Sequence, residues 1–170
     1  QKIMLTSVLL ALACFTVSPM ALARPLPTPT PTPTATPPLG EDRGNGNSAA
    51  ENVEALSLST TGINNTAHGW SSLHSNTTGQ FNTADGNQAL YFNTTGEGNT
   101  AIGSSALFLN TSGIGNTATG SLALHFNVDG VFNTATGYSA LFENSSGVGN
   151  TANGMNALMR NTTGNSNTAT

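Results

Sequence analysis

Asn-Thr-Ala occurs at Asn65, Asn82, Asn99, Asn116, Asn133, Asn150 and Asn167, always 17 residues apart. No other feature of the chain restricts its fold so strongly. A strict short period marks a solenoid, in which each unit buries its apolar face only against its neighbours. Helical repeats need two helices per unit and typically more than about 30 residues. The glycines also recur too often for helix, at about 1 kcal/mol each relative to alanine. The period therefore predicts an all-β fold, a parallel β-solenoid (β-roll) of 17-residue coils. Two short strands per coil are expected, Asn-Thr-Ala-x and Ala-Leu-x-x. The turns fall at Gly-x-x and Asn-Thr-Thr-Gly-x-x, where Gly and Asn tolerate positive φ.

Aligned in register, the units differ in informative ways. Position nine is leucine in each, from Leu56 to Leu158, and position three is alanine. Residues 48–64, SAAENVEALSLSTTGIN, open like a helix capping box but match the repeat better. They are read as a degenerate first coil with Ala50 at position three and no break in register. The solenoid then covers 48–170, seven repeats and a partial eighth. One Leu and one Ala supply about 2–3 kcal/mol of burial per coil. Ordering the backbone costs about 1–2 kcal/mol per residue, so further support is required. Asparagine ladders between coils are one candidate, and association with other chains is a second. Position ten, with His74, Tyr91, Phe108, His125, Phe142 and Met159, forms an aromatic and apolar stripe. In a strand it faces opposite to position nine. Two arrangements stay open: an outward stripe that favours oligomers, or a bent coil in which the stripe lies inside.

The N-terminal part differs in kind. Residues 1–23 read as a signal peptide, with Lys2 before an apolar run, Ile3 to Val17, and Ala21-Leu22-Ala23 as cleavage site. A retained anchor and lipidation at Cys14 are weaker variants. The run is short for a span, so no membrane span is expected in the mature chain. Residues 24–47 form a Pro/Thr-rich polar linker, and all eight prolines of the chain lie at or before Pro38. Alternating Pro and Thr favours extended polyproline II. Thr28, Thr30, Thr32, Thr34 and Thr36 are candidate O-glycosylation sites. A secreted or cell-surface location follows from these two segments.

Only 7% of residues are charged, and Lys2, Arg24, Arg43 and Arg160 are the only Lys or Arg. No basic patch for nucleic acid arises from so few cations. His68, His74 and His125 have no Cys or acidic cluster near them in sequence, so no metal site is expected. No base is paired with a Ser or Thr nucleophile and no phosphate loop is present. The chain reads as a non-enzyme without cofactor. N-x-Ser/Thr sequons begin at Asn64, Asn76, Asn93, Asn110, Asn144 and Asn161 and are candidate N-glycosylation sites for covalent glycans. All but Asn64 fall at position twelve, where Asn127, followed by Val-Asp, breaks the series. Position one is also Asn-Thr but without a sequon, so Asn-Thr serves this backbone for reasons other than glycans.

The stretches GNTAIGSSAL and NTATGYSALF resemble the head repeats of trimeric autotransporter adhesins and related bacterial surface and phage-fibre β-rolls. The resemblance implies three chains side by side in left-handed rolls. This repeat is longer, and no coiled-coil stalk or anchor barrel follows within the chain. The expected function is a structural subunit of a secreted or cell-surface fibre, glycan-decorated and adhesive, that associates with copies of itself into homo-oligomers or end-to-end polymers. The ending in mid-repeat fits that expectation and fits a truncated fragment of a longer chain equally well. The alternative is an adhesin-type binding module for carbohydrate or host surface. An ice-binding rod ranks lower: the position-two threonines make one regular row, but position four is mixed.

Overall fold

In a computed structural model, residues 46–49, 54–58 and 61–170 are described. The signal and linker readings, including Cys14 and the five linker threonines, lie outside the described residues, except that 46 and 47 fall within them. The chain is a parallel β-solenoid. Among the described residues its eight strands are β1 (Ser48–Ala49), β2 (Thr66–His68), β3 (Thr83–Asp85), β4 (Thr100–Ile102), β5 (Thr117–Thr119), β6 (Thr134–Thr136), β7 (Thr151–Asn153) and β8 (Thr168–Ala169). They stack in sequence order in one parallel sheet. From β2 onward each residue pairs with the one 17 positions later, as in Thr100↔Thr117 and Ala101↔Ala118.

The first coil departs from the expected register. Ser48 pairs with Thr66, and Ala49, not Ala50, pairs with Ala67. Leu56 nevertheless keeps its place, donating its N–H to Ser72 as Leu73 does to Ala89. The coil thus begins at Asn47 and carries one extra residue between Ala49 and Leu56. What selects this register is Asn47: its amide side chain joins a buried ladder that Ser48 could not enter.

The second expected strand is not one. The Ala-Leu-x-x segments are turns, and every position-nine leucine has φ between 47° and 52°. Position seven (Ser71, Gln88, Ser105, Leu122, Ser139, Asn156) and position seventeen, including Phe81 and Phe132, are also left-handed. Each non-glycine residue there costs about 1–2 kcal/mol. The compensation is a ladder of bonds: Leu90 N–H donates to Ala106, and Phe92 N–H to Phe108, in the next coil. Leucine suits the site because its branch is at Cγ; Val or Ile would crowd the left-handed backbone.

Glycine appears in two columns for two reasons. Position five needs its φ of 114° to 144°. Position fifteen does not; there the need is space. A Cβ on Gly113 would lie 2.6 Å from the carbonyl oxygen of Gly130 and press on Asn110 Oδ1. The apolar core is thin: Leu at nine, Ala at three and a second alanine column at eight, from Ala55 to Ala140, with Ser72 in place of Ala in the second coil.

Candidate functional site

Two asparagine columns run through the interior. At position one, from Asn65 onward, each Nδ2 donates to Oδ1 of the preceding coil's asparagine at 3.0–3.1 Å. Its other hydrogen goes to the position-fifteen glycine carbonyl of its own coil at 2.6–2.9 Å. The same Oδ1 also accepts the next asparagine's backbone N–H at 2.8–3.0 Å. At position twelve, Nδ2 reaches the preceding Oδ1 at 2.7–3.0 Å. It also reaches the glycine carbonyl three residues on, at 3.0–3.3 Å. One glycine carbonyl per coil therefore joins the two ladders; Gly96 accepts from both Asn82 and Asn93.

This arrangement bears directly on the sequons. Asn76, Asn93, Asn110 and Asn144 are fully buried, and from Asn93 onward both Nδ2 hydrogens are engaged. A sugar on Nδ2 would have to replace one hydrogen and take up interior space that the ladder fills. Asn161, in the last full coil, is half-buried with the same partners. Asn64, at position seventeen, is exposed. Asn127 makes the same two bonds without a sequon. The column thus has a structural cause.

On the outside, position ten resolves into a spine of rings. Leucine is inside and position ten is half-buried at the surface. His74, Tyr91, Phe108, His125 and Phe142 stack with centroids 4.8, 5.5, 5.0 and 5.2 Å apart. The coil rise of about 4.8 Å is itself a ring-stacking distance. Phe92 and Phe126, at position eleven, sit edge-on across the rings of their own and the following coil. This second aromatic row was visible in the sequence, but only stacking shows that the two rows form one surface. Burial holds the His125 imidazole below its ordinary value of 6.5, partly offset by a hydrogen bond to the Ser105 carbonyl at 3.1 Å. At one end of the spine, a Glu54 carboxylate oxygen lies 3.9 Å from His74 Nε2.

The sheet presents the threonine row at position two, exposed or half-exposed and in register. Beside it at position four stand His68, Asp85, Ile102, Thr119, Thr136 and Asn153. The threonines at position thirteen differ, since Thr94 and Thr111 spend their hydroxyls on carbonyls of the next coil. The three histidines are divided between the sheet face, at His68, and the spine. Among the described residues no helix is long and apolar enough to cross a membrane.

Fold and surface together define a β-solenoid repeat protein, stabilised by internal amide ladders and carrying an aromatic spine along one side. Comparison with protein-family models, with curated proteins and with solved structures returns no match.

Proposed function

We propose that the chain is a structural subunit of a secreted or cell-surface fibre, a rod that associates laterally with copies of itself. The aromatic spine carries this reading. It runs over five successive coils, flanked by Phe92 and Phe126 at 39% and 38% exposure. A continuous apolar strip of this kind exceeds the scattered apolar residues of a monomer's surface and marks a contact face. The scarcity of charge removes the repulsion that normally keeps such faces apart.

Sedimentation and negative-stain imaging of the full chain test the reading. Elongated multi-chain particles are expected, and Phe126→Ser should disperse them. A compact monomer at micromolar concentration would overturn it. Glycan decoration is expected at Asn64 and not at Asn93; peptide mapping of secreted material that finds hexosamine on Asn93 would contradict this.

A second reading, an adhesin-type module for carbohydrate or a host surface, draws on the outward threonine row, whose regular hydroxyls suit a repeating polymer. Binding to a glycan array that is lost in Thr117→Val with Thr134→Val would support it. No thermal hysteresis is expected, since the mixed position-four row interrupts any matched second row.

A further inference from the structure

The flanking phenylalanines of the spine are symmetric about its middle, while its few charges are not. Counting coils from Asn47, the fourth holds Phe108 and Leu109. Phe92 lies one coil before and Phe126 one coil after, each edge-on to stacked rings. Two coils out, His74 and Ser75 on one side correspond to Phe142 and Glu143 on the other. Three coils out, Leu58 corresponds to Arg160, the one Lys or Arg among the described residues. The Glu54 carboxylate, whose side chain is 64% exposed, lies at that opposite end beside His74 and Ser71.

We infer that the spine is the contact face for a second copy of this chain running antiparallel, related by a two-fold axis at Leu109. The inference rests on the self-association proposed above and names its partner and direction. Antiparallel pairing sets Phe92 of one copy against Phe126 of the other, and Leu109 against itself. It places Arg160 opposite Leu58, in the coil that also carries Glu54, and Glu143 opposite Ser75, so no like charges face one another across the contact. A parallel pair, or any in-register ring of copies, places Arg160 beside Arg160, Glu143 beside Glu143 and Glu54 beside Glu54. Like charges directly opposite one another are destabilising. The two-fold contact is self-complementary, as closed dimers require. It also covers the exposed edges of Phe92 and Phe126, which intramolecular stacking leaves open.

The test uses the full chain with Cys14→Ser and one new cysteine at a time, crosslinked by a short bismaleimide. A mixture of the Ser75→Cys and Glu143→Cys chains is expected to give heterodimers, while each chain alone gives few crosslinks. Efficient self-crosslinking of Ser75→Cys would overturn the antiparallel direction and leave self-association standing. A monomer in sedimentation would overturn both. Arg160→Glu is expected to weaken association about fivefold, in the range of an exposed ion pair. Adding Glu54→Arg should restore it. Unchanged association in Arg160→Glu, or no recovery in the double variant, counts against the pairing. These positions are at the surface, so circular dichroism of each variant should match the parent chain.

Discussion

The two asparagine columns share a side chain and differ in work. At position one, Oδ1 accepts two hydrogen bonds from the next coil, one of them from backbone. At position twelve it accepts from side chains alone, one at Asn110 and two at Asn144. The first column thus secures the chain path where the coil enters its strand, while the second closes a turn. Both spend Nδ2 on the same glycine carbonyl. The lesson is that a ladder's contribution depends on how many buried groups lose partners when a rung is removed, because each orphaned group costs about 1–3 kcal/mol.

That difference can be broken by experiment. Asn116→Ala leaves the Asn133 N–H and amide without their acceptor and removes donors from Gly130 and Asn99. It should cost about 4 kcal/mol by denaturant unfolding. Asn110→Ala removes its bonds to Asn93 and Gly113 and deprives Asn127 of one acceptor. It should cost about half as much, about 2 kcal/mol; equal losses would show that the columns do not differ. Leu107→Ile tests the turn between them, because φ of 50° there disfavours a branched Cβ. A cost of about 1–2 kcal/mol is expected, against less than about 1 for Leu107→Met.

The smallest effect is the pH response of the spine. His125 has its folded value below the unfolded 6.5, through burial. The folded state therefore binds fewer protons than the unfolded one below about pH 6.5. Stability should hold above that pH, decline as pH falls through it, and level off below the folded value. His125→Phe should reduce this slope in thermal melts recorded at pH 7.5 and 5.5; an unchanged slope would mean that other groups carry it.

Much of the fold was legible because identical residues recur at identical intervals. The buried leucine and alanine columns, the parallel register and the amide ladder all follow from a period of 17 that no helix can use. Less of the surface was legible. Position ten left open whether its rings lay inside, and the choice followed from backbone dihedrals that no residue type announces. Leu107 at a left-handed angle is the clearest case: leucine there reads as strand, yet the peptide bonds on either side are committed to neighbouring coils. The second alanine column is written in the Ala-Leu pairs, but a strand would send Ala and Leu to opposite faces, and only the left-handed turn buries both. Asn47 was hidden for a different reason, since the extra residue in the first coil moves it out of the 17-residue grid.

By itself the sequence determined the repeat, the β-solenoid and the identity of the side chains that had to stack. Only the tertiary structure decided that both asparagine columns face inward, which sequon lies exposed, and where the first coil begins. The reason is physical. Residue type states what an amide can bond to, but whether Asn93 has any hydrogen left depends on Asn76 and Gly96 being brought to within 2.7 and 3.1 Å of it.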